Sequence, residues 1–401
     1  MNKKWTYVPF TDIFDWCSKS NIGSREAVEN GKYKLFVASA TEIKRYNEFL
    51  ENGERLVFGT GGNPCIHYVN EAFSYTNHTE CAKPKSENGF VKFYYYYFQK
   101  DKYKDLQSTF VGGGIKNSSK KKIGALLVPR IDYDEQKRIV AKIEELFSEL
   151  DNGVETLKKT KQQFAAYRQA VLKEAFEGKF TTHFVCEKEL EWASAEETKS
   201  LPTIPEEWQY IALSKLGDLG RGKSKHRPRN DPKLFEDGKY PFLQTSEVKA
   251  AKRYITEYSK MYGEVGLQQS KLWPKGTLCI TIAANIAETA FLGIDACFPD
   301  SVVGFTPYEY ILPEYVKHFI ESQKLRLWAF APATAQKNIN LDTLENLIVP
   351  YCSLEEQNNV ISEIEARMTI CDNIEKTVDT ALQQAEAMRQ SILKKAFEGE
   401  L

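Results

Sequence analysis

The sequence predicts an α+β protein: two globular mixed α/β domains separated by two long antiparallel coiled-coil helices, pseudo-two-fold and nearly circular in arrangement. Three observations predict it. The first is an internal repeat, which is settled before any other feature. Residues 128–180 and 349–401 align without a gap at a shift of 221 residues, and 20 of the 53 positions are identical. Val128-Pro129, Glu135-Gln136 and Leu172-Lys173-Glu174-Ala175-Phe176-Glu177-Gly178 return as Val349-Pro350, Glu356-Gln357 and Leu393-Lys394-Lys395-Ala396-Phe397-Glu398-Gly399. The second is a helical period inside each copy, and the third is a set of echoes between the segments that precede them.

The period is carried in the first copy by Ile139, Ile143, Leu146, Leu150, Val154, Leu157, Phe164, Tyr167 and Val171. In the second copy it is carried by Val360, Ile364, Met368, Ile374, Val378, Ala385, Met388 and Ile392. Spacings of three and four with one of seven in the first copy, and nearly the same in the second, with Lys, Glu and Gln on the outer faces, mark a coiled-coil seam. Pro129 and Pro350 stand upstream, and Asp134-Glu135 and Glu355-Glu356 suit the positive helix start. Gly178 and Gly399 suit the stop. About 42 helical residues at ~1.5 Å each give a rod of roughly 60 Å. One such helix exposes its stripe, whereas two in one chain bury each other. Packed antiparallel, they place the globular domains at opposite ends and bring the last helix back to the first domain. The rod corresponds to somewhat under twenty base pairs of duplex at ~3.4 Å each.

The domains expected are a first globular unit over 1–127, the first long helix over 128–180 and a linker over 181–207. A second globular unit follows over 208–348 and the second long helix over 349–401. In the first unit, Tyr33–Ala38, Arg55–Phe58, Ile66–Val69 and Phe90–Phe98 read as strands, separated by turns such as Gly59–Pro64 and Gly112-Gly113-Gly114. The run Tyr94–Phe98 reads as a buried strand ahead of a base-stacking surface. The linker, rich in Glu and Lys with Pro202 and Pro205, reads as an exposed tether. In the second unit Trp208-Gln209-Tyr210 echoes Trp5-Thr6-Tyr7. Tyr240–Leu243 with Glu247-Val248-Lys249 echoes Tyr33–Phe36 with Glu42-Ile43-Lys44, and Lys337-Asn338 matches Lys116-Asn117 at the same shift of 221.

Composition narrows the class of function. Lys plus Arg (54) and Asp plus Glu (55) balance, so any surface for nucleic acid is local. The 8 cysteines contain no C-x-x-C pair and read as reduced thiols. The N-terminus lacks the apolar run of a signal peptide, and no segment reaches the ~20 apolar residues of a membrane span. A cytoplasmic protein without a membrane partner is expected. The 5 histidines (67, 78, 183, 226, 318) are scattered without metal-ligand or triad spacing, which leaves them as ordinary surface or core residues. No active site is expected, and no metal or cofactor bound by this chain.

The densest local charge is Arg221-Gly222-Lys223-Ser224-Lys225-His226-Arg227-Pro228-Arg229, five Lys or Arg side chains within nine residues in a Gly/Pro-containing loop. Such a loop suits phosphate neutralisation and base-edge contact, since Arg pairs bidentately with guanine. The solvated charged loop is the competing reading. Gly217–Ser224 also fits the G-x-x-x-x-G-K-[ST] pattern, but a phosphate-binding loop needs a helix starting at the Lys-Ser, and Pro228 and Pro232 follow instead. Phe58-Gly59-Thr60-Gly61-Gly62-Asn63-Pro64-Cys65 faintly matches two methyltransferase motifs at once, without the second proline and aromatic. It reads as a turn.

The paired Val-Pro…Glu-Gln…Ala-Phe-Glu-Gly helices flanking two dissimilar units resemble the specificity (S) subunits of type I restriction-modification systems. The likeness runs along the whole chain and includes the linker Leu201-Pro202-Thr203-Ile204-Pro205-Glu206-Glu207-Trp208. It implies that each globular unit is a target recognition domain reading one half of a bipartite asymmetric double-stranded DNA site. It implies that the helices set the spacer and dock two methyltransferase (M) subunits, and that restriction (R) motor subunits join outside. S-adenosylmethionine, ATP and Mg would then belong to the partners, and this chain would not be an enzyme. The matching loops of the second domain are 221–229 (Arg221, Lys223, Ser224, Lys225, His226, Arg227, Arg229), 283–286 with Asn285, and 335–339 with Gln336, Lys337 and Asn338. In the first domain they are 19–25 with Lys19, Asn21 and Arg25, 59–63 with Thr60 and Asn63, and 115–117 with Lys116 and Asn117. The alternative function is a coiled-coil scaffold whose globular ends bind proteins, and an ATPase reading stands third.

Overall fold

The structure, a computed structural model, describes residues 5–85, 89–180, 189–330 and 338–401. Contacts divide the chain into two compact units. Unit 1 comprises Met1–Thr160 with Thr377–Leu401, and unit 2 comprises Lys161–Lys376. Eight elements define the frame: β1 (Thr6–Pro9), α1 (Val91–Gln99), β2 (Leu127–Arg130), α2 (Tyr133–Phe176), β3 (Gln209–Ala212), α3 (Pro313–Ser322), β4 (Ile348–Tyr351) and α4 (Leu354–Glu398). The helices α2 and α4 are the two repeat helices, 44 and 45 residues long. Each starts in one unit and ends in the other. A unit is therefore a globular domain plus the first part of one long helix and the last part of the other.

The two units use one frame. In unit 1, β1 and β2 form an antiparallel ribbon with Tyr7 opposite Pro129, and in unit 2, β3 and β4 do the same with Tyr210 opposite Pro350. The Val-Pro pair that opens each repeat thus lies in a two-stranded ribbon, where a missing N–H is tolerated. Behind the ribbon sits one domain helix, α1 or α3, whose tyrosine hydroxyl donates to the ribbon proline carbonyl: Tyr94 to Pro129 at 3.0 Å and Tyr315 to Pro350 at 2.8 Å.

The glutamine of each Glu-Gln pair fixes the start of the domain helix. Gln136 and Gln357 are both fully buried. Gln136 Oε1 accepts the N–H of Phe90, the residue before α1, at 3.0 Å, and its Nε2 donates to the Ile131 carbonyl at 3.0 Å. Gln357 Oε1 accepts the N–H of Leu312, the residue before α3, at 2.8 Å, and its Nε2 donates to the Cys352 and Tyr310 carbonyls at 2.9 and 3.2 Å. A buried amide with both ends bonded is cheap, and one with either end orphaned is not.

The Ala-Phe of each repeat closes the core of the unit in which its helix ends. Phe176 lies edge-on to Tyr315 and Phe319 at 5.1 and 5.2 Å in unit 2. Phe397 lies edge-on to Phe93 and Tyr97 at 5.3 Å each in unit 1. The glycine that follows takes the left-handed conformation a C-cap requires, with φ of 71° at Gly178 and 81° at Gly399. Lys179 N–H donates to the Glu174 carbonyl at 3.1 Å, and Glu400 N–H to the Lys395 carbonyl at 2.9 Å.

Within each unit the two long helices run antiparallel. In unit 1, Arg138 reaches the Leu401 carbonyl while Asp151 pairs with Arg389. In unit 2, Arg168 pairs with Asp372 and Glu375 at 2.5 and 3.0 Å. Arg168 and Arg389 are the same repeat position, as are Asp151 and Asp372, so one ion pair is formed twice. The seam differs from the expected one at three places. Tyr167, Ile374 and Met388 are exposed, and in place of Ile374 the buried Cys371 continues the seam, in steps of seven, to Val378 and Ala385.

Each domain is a set of small sheets. Unit 1 has a four-stranded antiparallel sheet in the order Phe14–Trp16, Thr79–Pro84, Glu54–Gly59, Cys65–Asn70, and a three-stranded one in the order Ile43–Tyr46, Tyr33–Phe36, Phe73–Tyr75. Unit 2 has a five-stranded sheet in the order Gly217–Arg221, Val302–Pro307, Leu278–Thr281, Thr289–Leu292, Tyr254–Ile255. Beside it lies a four-stranded one built on Lys260–Tyr262, Tyr240–Phe242, Ala296–Cys297 and Leu272–Trp273.

Two expectations are corrected. The aromatic run at 94–98 belongs to helix α1, not to a strand over Phe90–Phe98. Its β-forming residues are overridden because Val91, Phe93, Tyr94, Tyr97 and Phe98 are all buried, a helical spacing that a strand would split between two faces. The linker is no exposed tether in its described part. Leu190, Trp192 and Ile204 pack against the unit 2 core, Ala193 N–H donates to the Tyr210 carbonyl at 2.7 Å, and Ser194 and Glu197 form a capping box. Residues 181–188, with His183 and Cys186, lie outside the described residues.

Two predictions follow from this frame. Phe176→Ala costs about 3–5 kcal/mol in denaturant unfolding, and in hydrogen exchange it loosens α3 while leaving α1 protected; Phe397→Ala gives the reverse pattern. Gln357→Leu, which keeps volume but removes the acceptor of the Leu312 N–H and a donor to the Cys352 and Tyr310 carbonyls, costs about 1–3 kcal/mol, and thermal unfolding against the parent chain measures it.

Candidate nucleic-acid interface

In unit 2 the basic loop is an extension of a strand. Gly217–Arg221 pairs along Val302–Pro307, and Gly222 N–H continues the ladder to the Val302 carbonyl at 2.9 Å. A side chain at Gly222 would collide with the carbonyls of Phe298 and Pro299, since an added Cβ falls 2.2 and 2.4 Å from them. Glycine is required there by close approach. Beyond it the chain is irregular through Arg229, so no helix starts at Lys223-Ser224 and the phosphate-binding-loop geometry is absent.

The cations of the loop divide into two groups. Arg221 donates from Nε and Nη2 to the Asp300 carbonyl at 3.0 and 2.7 Å, and Arg229 Nη2 donates to both Asp300 carboxylate oxygens at 2.9 and 3.1 Å. Arg227 Nη1 donates to the Ser224 and His226 carbonyls of its own loop at 2.7 and 2.8 Å. These three shape the loop. Lys223 and Lys225 are exposed and form no ion pair among the described residues. His226 is braced by Asp231 Oδ2 at 2.8 Å and by Gln269 Oε1, which accepts its N–H at 3.0 Å. Hydrogen bonds from His226 and from the Lys233 N–H hold the Asp231 carboxyl below the usual carboxylate range.

A second loop, 282–287, is bent into place by two alanines in the left-handed region, Ala284 at φ 63° and Ala287 at φ 60°. Such positions cost free energy, and the surrounding bonds over-determine them. Thr281 N–H donates to the Glu288 carbonyl, Ala287 N–H to the Thr281 carbonyl, and Thr281 Oγ1 to the Asn285 carbonyl. Asn285 is half-buried, and its Oδ1 accepts from Lys249 Nζ at 3.3 Å. Ala283 bridges Asn338, and Ile339 N–H donates to the Ile282 carbonyl at 2.9 Å. Ile282 N–H donates in turn to the Ser301 carbonyl at 3.0 Å, which ties this loop to the turn that Arg221 and Arg229 grip. Asn338 is exposed; Gln336 and Lys337 lie outside the described residues.

Unit 1 repeats the bridge. Gly61 pairs with Asn117, Ser118 N–H donates to the Thr60 carbonyl at 2.8 Å, and Gly62, at φ 77°, donates its N–H to the Lys116 carbonyl at 3.0 Å. The Gly61–Asn117 and Ala283–Asn338 bridges occupy matching places, each followed by a left-handed residue. Thr60 also donates from N and Oγ1 to the His78 carbonyl at 3.0 and 2.8 Å, and Asn77 N–H donates to the Ile22 carbonyl at 2.9 Å. The segments holding Asn21, Thr60, Lys116 and Asn117 are therefore laced together, and Lys19, Asn21, Arg25, Asn63, Lys116 and Asn117 are all exposed. Lys19, Arg25 and Lys116 form no ion pair among the described residues.

Three contributors escape sequence reasoning. Asp300, Lys249 and Lys260 reach the basic loop or its neighbours from a turn, a short helix and a strand elsewhere in the chain, and nothing in their local sequence signals it.

No helix among the described residues is long and apolar enough to cross a membrane. The family model for the type I restriction modification DNA specificity domain matches residues 2–163 and 205–384. The chain is 27% identical over 296 residues to the type I restriction enzyme EcoBI specificity subunit of Escherichia coli, covering 72% of this chain and 61% of that protein. It is 24% identical over 400 residues to the EcoDI specificity subunit of Escherichia coli, covering 96% and 86%. The match thus spans about three-fifths of the first of these relatives. Among solved structures, a chain from work on complex assembly and conformational transition of the type I R-M system superposes with TM-score 0.75 at 15% identity, over 100% of this chain and 99% of that one. The HsdS subunit of Thermoanaerobacter tengcongensis gives TM-score 0.56 at 15% identity, over 100% and 98%. These two likenesses establish the fold, and the family model establishes the kinship: two domains of one frame, each matched separately, place this chain in the type I restriction modification DNA specificity domain family.

Proposed function

We propose that this chain is the DNA-reading subunit of a type I restriction-modification complex, with each globular domain reading one half of a bipartite double-stranded site. The observation that carries this reading is the duplicated bridge: Gly61–Asn117 and Ala283–Asn338 present polar loops from the same place in two domains whose loop residues differ. Equal frames with unequal loops are what two different half-sites need. Asn, Gln, Lys and Arg are the side chains that pair with base edges, and exposed lysines serve the phosphates. The long helices fix the spacer and dock two methyltransferase subunits, and restriction subunits join that assembly. S-adenosylmethionine, ATP and Mg act on those partners in the cytoplasm, and this chain is the non-catalytic member. That the EcoBI and EcoDI relatives are specificity subunits supports this reading.

Binding of duplex DNA at a series of salt concentrations tests it. Each phosphate contact contributes about −0.9 to the slope of log K against log salt, so Lys225→Ala lowers the slope by about one contact for every sequence. Asn338→Ala and Lys337→Ala weaken one half-site, by roughly 1–3 kcal/mol for a lost base contact, Arg227→Ala weakens the same half-site by loosening its loop, and Asn117→Ala weakens the other. Salt-independent binding, or variants of both units acting on the same half-site, contradicts the proposal and favours a protein-binding scaffold.

A further inference from the structure

We propose that a pocket beside the basic loop of unit 2 seats a backbone phosphate of the bound DNA, an inference that rests on the DNA-reading function above. The pocket encloses about 310 Å³ and is lined by Ser224, Arg229, Gln244, Thr245, Lys260 and Ser301, with Phe242 and Pro299 as its apolar walls. Its telling feature is Ser224. That residue is only 5% exposed, and its Oγ is buried with no hydrogen-bond partner among the described residues. Buried hydroxyls are nearly always bonded, and an orphan costs free energy in the unbound protein. A ligand that brings an acceptor removes this cost, so the orphan marks where an acceptor belongs.

The lining chooses the ligand class. Hydroxyls from Ser224, Thr245 and Ser301, the Lys260 ammonium and the N–H groups of Arg229 that Asp300 does not take make a set dominated by donors. The neighbouring carboxylates already accept bonds: Asp300 from Arg229, and Glu247 from Ser246 and Ser259 at 2.7 Å each. Asp300 holds the Arg229 guanidinium in a fixed orientation, and Lys260 is exposed without an ion pair among the described residues. An extruded base would need a free aromatic face, but Phe242 is 5% exposed and stacked on Tyr262 at 4.1 Å. A phosphate needs only donors and positive charge. Ser224 lies between Lys223 and Lys225, so a phosphate in this pocket registers the duplex against the reading loop.

The experiment uses the full chain, co-purified with its methyltransferase partner, and two duplexes of equal length, one carrying the recognised site and one lacking it. Ser224→Ala is expected to weaken both by about the same factor, on the order of tenfold for a lost charge-assisted bond. Its thermal midpoint is expected to be unchanged or raised, because an orphan hydroxyl is gone. Lys260→Ala is expected to lower the salt slope by about 0.9 on both duplexes. Two outcomes overturn the pocket assignment: parent-like binding by both variants, or a loss confined to the duplex carrying the site, which would make this a base contact. A parent complex that binds neither duplex overturns the DNA-reading proposal itself, a result distinct from either of these.

Discussion

Everything in this molecule depends on how a long helix hides its two ends. Along its middle a 44- or 45-residue amphipathic helix buries only a narrow seam, Cys371, Val378 and Ala385 in α4, beside partly exposed ion pairs of small individual worth. Its ends are different. Ile139, Val140 and Ile143 bury α2 in the unit 1 core at its start, and Leu172, Ala175 and Phe176 bury it in the unit 2 core at its finish. Helix α4 does the reverse, with Val360, Ile361 and Ile364 in unit 2 and Leu393, Ala396 and Phe397 in unit 1. Neither globular core is complete without the tail of a helix that begins in the other unit. The repeated sequence is the physical expression of that exchange: the glutamine serves the entry and the Ala-Phe serves the exit.

The same frame explains why the domains can differ so widely elsewhere. Ribbon, domain helix and buried glutamine hold one geometry in both units, by hydrogen bonds that agree to within a few tenths of an ångström. The bridging loops hang from the sheets at matching positions, so their side chains vary without disturbing the frame. Unit 1 uses glycine for the left-handed residue after its bridge, whereas unit 2 uses alanine and braces it with Thr281. Function placed on loops over a rigid scaffold follows the usual division of labour between framework and site.

Much of this was legible in the residues and some was not. The repeat and its period exposed the two helices, because three- and four-residue spacing leaves a strong mark over forty residues. Lys337-Asn338 against Lys116-Asn117 pointed to the bridging segment because the shift of 221 is kept there. The helix at 91–99 was hidden by six successive aromatics, Phe93 to Phe98, whose β preference outweighs their helical spacing in any local reading. The seam positions Ile374 and Met388 misled because apolar residues on a solvated helix face look the same as those on a buried one. The roles of Arg221 and Arg229 could not be read at all: both hold Asp300, more than seventy residues away, so a cation count overstates what the loop offers to a phosphate. Ser224 gave no signal of its own, since an orphaned hydroxyl exists only once the fold surrounds it.

The central proposal is that one chain carries two different DNA-reading domains. The most direct measurement is to co-express this chain with its methyltransferase partner in a host and map N6-methyladenine over the whole genome. The account requires a single motif of two short, dissimilar half-sites with one constant unspecified spacer. Methylation at two unlinked motifs, or a soluble complex that leaves the genome unmethylated, would contradict it.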